Sequence, residues 1–437
     1  MNLIFILFAG LNSFILAFPS TLLNRPNNTE TLDDNQLRAG WGKHDITGPI
    51  GEIDLMGYAK LGQAANGIHL RLYARAFVIG NRDSHVENDK NLPVVYVSID
   101  AGQVSHFVKD RVIKILNDPR IREENLMISA THTHSGPAGY LDSFLYVANT
   151  FGIVQEQRRA QAEGIAIAIQ NALQMFESDK SPQSLSLFQG MIQNASRNRS
   201  PSSYLANSEQ EREWYADQGD TDKTMTILAI TNPQTEKVAS FINWFAVHGT
   251  SMTELYEYVS GDNKGFASYF WERNVTGFVA AFGQSNAGDV TPNTTPPKCT
   301  DSGLECDGGP LSCLDKEGKP RISKCIGDGP AGTDGFKNTK IIGLKQAQGA
   351  DRILNQPDQH LVLPSTGLVE FRHVWIDMSN VTVQLEGNKT GTTCRPAMGQ
   401  SFAAGTTDGP VILLVIILFT LYTKGCGWKL ARCRKRQ

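Results

Sequence analysis

Between Leu92 and Pro137 the chain alternates in a way that leaves few folds open: the apolar run LPVVYVSI closes at Asp100, helical spacing follows over 104–117, and Leu126–Ala130 runs straight into THTHSGP. An apolar run of that kind reads as a buried strand. Strand, helix, strand and a Gly- and Pro-containing loop is α/β organisation. Gln155–Phe176 carries Ala and Ile at helical spacing, with Gly164 its only glycine and no proline, which predicts a long helix. Thr224–Ile230, Ala239–Phe245 and Gly277–Phe282 read as further strands, and the last two end in AVHGT and GQSNAGDVTPN. Ligands of open α/β sheets collect outside the carboxyl ends of strands, where three polar motifs fall here, so the active site is expected there.

Composition narrows the function classes. The 437 residues are 41% hydrophobic, enough for a sizeable core in one large domain or two to three ordinary ones. With 41 basic and 44 acidic residues the net charge is -3, and no overall basic field exists to draw in a nucleic-acid partner. The oligomeric state is left open.

The ends point to the secretory pathway. Residues 1–17 are apolar and lack charged side chains, with Ala17 where a signal peptidase cuts, and read as a signal peptide; a retained signal anchor is the alternative, since the basic n-region is absent. A polar linker, 18–37, precedes the main domain, 38–410. Sequons at Asn27, Asn194, Asn198, Asn274, Asn293, Asn380 and Asn388 fit a secreted or plasma-membrane glycoprotein whose main domain is extracellular or lumenal. From Val411 an apolar run to Tyr422 leads into a basic end, so 411–437 reads as a hydrophobic and basic tail, either a short transmembrane or tail anchor or, alternatively, translated intron. None of the 7 cysteines precedes Cys299, and four crowd into Cys299, Cys306, Cys313 and Cys325. Their spacings lack the C-x2-C pairs of structural zinc, so two disulfides are expected, with three connectivities open.

His132-x-His134 places two imidazoles on one loop after a strand, a recurrent half of a zinc site. Alone, such a pair is more often structural than metallic. A third histidine, His248, also ends a strand and shifts the balance. Zn2+ is favoured because the candidate ligands are neutral imidazoles with no carboxylate cage. Thr291 offers a hydroxyl on a turn stiffened by Pro292, and Arg199 stands in Asn-Arg-Ser-Pro; by themselves these read as an ordinary turn and a loop arginine.

The chain resembles the neutral/alkaline ceramidase family from about Ala39 to Gly409, through ITGP, MGYA, GIHLR, ARAFV, ATHTHSGPAGY, NRSPSSYLAN, NWFAVHGTSM, SGDNKGFASY, GQSNAGDVTPN and SFAAGTTDG in that order. The resemblance implies a mixed-sheet α/β zinc hydrolase domain with long loops, without the immunoglobulin-like domain that follows in the family. It implies metal ligands at His132 and His248, with His134 and Arg199 lining the catalytic pocket and Thr291 standing where the family has its nucleophilic serine. Thr keeps the oxygen but restricts χ1. The activity implied is zinc-assisted hydrolysis of the amide of ceramide to sphingosine and fatty acid, on a substrate drawn from a membrane surface or lipid. The pairing implied for the cysteine cluster is Cys299 with Cys313 and Cys306 with Cys325. The family completes its metal site with a glutamate and a tyrosine from motifs beyond FAAGTTDG, and nothing after Gly409 resembles those motifs. The isolated chain is therefore expected to be inactive or nearly so, and a catalytically inactive lipid-binding protein is the alternative function.

Overall fold

The computed structural model describes residues 36–393 and 406–409 apart from 61, 82–91, 144–145, 148–149, 180, 182, 233–234, 236, 310, 322–323, 357–359 and 364–367, together with the backbone of 3–5. The expected leader and tail lie outside the described residues, apart from that short segment. Leu37, placed by sequence in the linker, is fully buried as the first residue of a strand.

Two mixed sheets form the frame. The first contains β1 (Leu37–Asp45), β2 (Tyr73–Asn81), β3 (Val94–Ile99) and β4 (Leu126–Ala130) in that order. Its first three strands run antiparallel and β3–β4 is parallel, joined by α1 (His106–Leu116). Beyond it lies α2 (Gln155–Ser178), the predicted long helix. The second sheet contains β5 (Ser184–Met191), β6 (Thr224–Thr231), β7 (Val238–Phe245), β8 (Ala280–Gln284) and β9 (His360–Val362), in the order β8-β7-β6-β5-β9. Only β7–β8 is parallel in this sheet, and α3 (Asp262–Glu272) connects its two strands. The last long helix among the described residues is α4 (Gly335–Leu354).

Side-chain alternation stacks these elements into four layers, helix, sheet, sheet, helix. Along β3, Val95, Val97 and Ile99 join Ile165, Ile169 and Val112 of the helices, while Val94 and Tyr96 join Leu228, Ile230 and Ile242 of the second sheet. Along β7, Ile242 faces the first sheet, whereas Phe241 and Phe245 pack with Ile342 and Ala347 of α4. All six residues of β3 are buried, because both its faces are covered. The strand read over Gly277–Phe282 begins later, at Ala280, since Gly277 sits at φ +80° in a turn closed by Phe278 N donating to Val275 O.

The parallel pairs β3–β4 and β7–β8 send their carboxyl ends to one edge of the molecule. There Thr133 and Gly249 form a parallel bridge between the two sheets. Gln284 ties the same edge, its amide donating to Thr131 O at 3.2 Å and to Val247 O at 2.7 Å.

Candidate metal centre

His132 leaves β4 with φ +64°, a left-handed conformation uncommon outside glycine, held by its N–H on Ala101 O. Such backbone costs of order 1–3 kcal/mol and persists where its surroundings over-determine it. It turns the imidazole towards Gly102 O, 2.6 Å from Nδ1. His248, at the end of β7, places its own Nδ1 3.0 Å from Val290 O. Each carbonyl can only accept, so each Nδ1 carries the proton and each Nε2 keeps its lone pair.

His134 completes the group. Its N–H donates to Gly249 O, its Nε2 lies 3.3 Å from His132 Nε2, and its ring forms a T-shaped pair with Tyr58, centroids 4.8 Å apart. Its buried Nδ1 has no hydrogen-bond partner among the described residues. Ligand atoms of His132, His134 and His248 lie within 4.8 Å of one another, so the three form a group able to hold a metal ion. Burial keeps them neutral. It lowers His132, lowers His134 further, and pushes His248 down to about 3 with help from the Arg199 cation. Neutral imidazoles with carbonyl-anchored Nδ1 atoms are the donor set that such an ion requires.

A second cluster adjoins the first. The ladder pairing Arg197–Asn198 with Val290–Thr291 brings Arg199 beside Thr291, and the Arg199 N–H donates to Asp289 O. The Arg199 guanidinium donates to Asp408 Oδ2 at 3.0 Å, to Gly288 O at 2.8 Å, and to His248 Nε2 at 3.1 Å. Thr291, 1% exposed, donates its hydroxyl proton to Asp408 Oδ1 at 2.5 Å and accepts from Asn293 N at 3.0 Å. All five side chains singled out by sequence, His132, His134, Arg199, His248 and Thr291, therefore meet at one edge.

The sequence reading missed the partners that hold them. Asp408 and Tyr58 lie in SFAAGTTDG and MGYA, segments that had carried the resemblance without any assigned role. Asn263, at the start of α3, donates to His248 O at 2.8 Å. The disulfides form as implied, Cys299–Cys313 and Cys306–Cys325. They brace the segment carrying Asp408, because Gly327, two residues after Cys325, donates its N–H to Thr407 O at 2.8 Å. Two of the seven sequons, Asn198 and Asn293, are 2% exposed and bonded within the site, so neither presents its amide to solvent. Among the described residues no helix is long and apolar enough to cross a membrane, and Val411–Tyr422 lies outside them.

Residues 37–417 match the family described as neutral/alkaline non-lysosomal ceramidase, N-terminal. Neutral ceramidase B of Dictyostelium discoideum is 40% identical over 429 residues, 94% of this chain and 56% of that protein. Neutral ceramidase of Drosophila melanogaster is 39% identical over 390 residues, 85% of this chain and 53% of its own. Among solved structures, neutral ceramidase from Pseudomonas aeruginosa matches with TM-score 0.67 and 33% identity over 84% of this chain and 52% of that one. A ceramidase complexed with C2 matches with TM-score 0.71 and 32% identity, covering 92% and 57%. The chain thus spans about half the length of the curated relatives it matches.

Proposed function

The chain belongs to the neutral/alkaline ceramidase family, and from that membership we propose that it hydrolyses the N-acyl amide of ceramide to sphingosine and a fatty acid, with a zinc ion held by His132 and His248. The observation that carries the reading is the meeting of His132, His134 and His248 within 4.8 Å, two of them anchored through Nδ1 to carbonyls. Zinc is the ion best suited to neutral imidazoles.

A zinc ion there supplies Lewis acidity to an amide carbonyl and to water. The remaining steps belong to the chain. His134, kept neutral by burial, carries a proton between the attacking group and the leaving amine. Arg199 stabilises the oxyanion that develops as the amide carbonyl is attacked. Thr291 spends its proton on Asp408 and one lone pair on Asn293 N–H, so it meets the substrate through its remaining lone pair. The substrate is a neutral two-chain lipid taken from a membrane surface, encountered in the secretory pathway or outside the cell.

Zinc content and sphingosine release test the proposal, on the 437-residue chain and on a version extended by a relative's C-terminal part. Equimolar zinc and turnover that chelation abolishes and zinc restores, in either form, support it. Neither zinc nor turnover in both forms overturns it.

A further inference from the structure

Asp408 is 5% exposed, and four donors converge on its carboxylate. Oδ1 receives the Thr291 hydroxyl at 2.5 Å and Asn293 Nδ2 at 2.9 Å. Oδ2 receives Arg199 NH1 at 3.0 Å and Thr250 Oγ1 at 3.3 Å. A carboxylate offers about four acceptor positions, so these donors fill it. Its partners come from three separate segments, Arg199 after the Arg197–Asn198 ladder, Thr250 after β7, and Thr291 with Asn293 in the loop after β8, while Asp408 itself comes from far along the chain. Arg199 is otherwise a cation whose second nitrogen sits 3.1 Å from His248 Nε2, where it opposes any positive charge bound by the histidines.

We propose that Asp408 is the positioning residue of this site: its carboxylate sets the direction of the Thr291 hydroxyl, holds the Arg199 guanidinium, and cancels the charge that Arg199 brings beside His248. The inference rests on the metal-site reading above for its metal arm and on geometry alone for its arginine arm. Among the described residues no hydrogen bond joins the Asp408 side chain to the histidines; it acts through Thr291 and Arg199. In Asp408→Asn the shape is kept, but the charge goes and an amide N–H faces donors. Arg199 is then an uncompensated cation beside His248.

The test uses the whole chain as wild type, Asp408→Asn, Arg199→Met and the double variant. Zinc affinity is measured by competition with a chromophoric chelator, and the reactivity of Arg199 towards phenylglyoxal by peptide mass spectrometry. Asp408→Asn is expected to weaken zinc about 10–100-fold, the range for losing a partner behind the ligands. Arg199→Met added to Asp408→Asn is expected to return most of that loss, which a merely disordered site would not do. Arg199, tied to a carboxylate in the wild type, is expected to react faster in Asp408→Asn. Unchanged zinc affinity in Asp408→Asn, or a loss that Arg199→Met leaves in place, overturns the charge-cancelling role. If the wild type binds no zinc, the metal-site reading fails, and phenylglyoxal still decides the positioning: faster modification supports it and unchanged modification overturns it.

Discussion

Thr133 and Gly249 form a parallel bridge between the loop that leaves β4 in one sheet and the loop that leaves β7 in the other. A Cβ at position 249 would lie 2.6 Å from both His132 O and Thr133 Cα, which are backbone atoms with no flexible end to yield. Gly249→Ala is therefore expected to destabilise the fold by about 1–3 kcal/mol, the usual cost of overpacking. It should also weaken zinc binding, because it drives apart the segments carrying His132 and His248. Urea unfolding and a zinc titration on the one variant check both effects. Destabilisation with unchanged zinc affinity would show that the bridge does not set the spacing of the histidines.

His132 and His248 each commit Nδ1 to a carbonyl, whereas the Nδ1 of His134 has no partner among the described residues. Replacing either of the first two by Ala is expected to remove zinc from the purified protein. In the form extended by a relative's C-terminal part, His134→Ala should keep most of the zinc and lower turnover about 100-fold or more, as expected for a lost proton carrier. Metal analysis alongside sphingosine release separates the roles. Equal loss of zinc in all three variants would make His134 a third ligand.

Much of this arrangement is legible in the sequence, and the parts that are not have physical reasons. The strand at Val94–Ile99 stands out because both its faces are buried, which leaves a continuous apolar run. That same continuity hides what covers each face, so the second sheet stacked on the first does not show. Strand β1, LRAGWGKHD, lacks such a run, and its Gly40 owes its place to packing: a Cβ there would lie 2.2 Å from Ala172 O of α2. The site's histidines announce themselves by following strands. Asp408 does not, since Thr-Thr-Asp-Gly is an ordinary turn by composition and gains meaning only from Thr291, 117 positions earlier, and Arg199, 209 earlier.

Lys264 is a buried amine close behind this edge. Its Nζ donates to Phe245 O and Gly283 O, both at 2.8 Å, and to Gln346 Oε1 at 3.3 Å, with no carboxylate among these partners. Burial pushes its pKa down to about 7. The unfolded chain holds the proton up to a pKa near 10.4. Between these values the unfolded state binds more protons, so the group's contribution to stability rises with pH from about 7 to about 10 and is least favourable, and flat, below that window. Lys264→Met is expected to lower stability throughout, by stripping donors from two buried carbonyls, yet to flatten this rise. Urea midpoints at both ends of the window, for wild type and variant, measure it. Equal slopes would mean that the three oxygens accommodate the ammonium and that Lys264 stays charged.

The sequons divide by the same geometry that builds the site. Asn198 donates its amide to Asp220 O at 2.9 Å and Asp289 Oδ2 at 3.1 Å, and its carbonyl receives Ser200 N at 2.7 Å, bonds that set the course of the chain around Arg199. Asn293 donates to Asp408. A glycan replaces one amide hydrogen and needs a path to solvent, so at either position it would break these bonds and lift the loop from the site. Asn194, Asn274 and Asn388 are exposed and bear no such duty. In a glycosylating host, occupancy is expected at these three and absent from Asn198 and Asn293. Enzymatic deglycosylation in heavy-oxygen water converts each occupied Asn to a labelled Asp that peptide mass spectrometry locates. A label at Asn293 in protein that still binds zinc would contradict the burial of that loop, and with it the contact between Asn293 and Asp408.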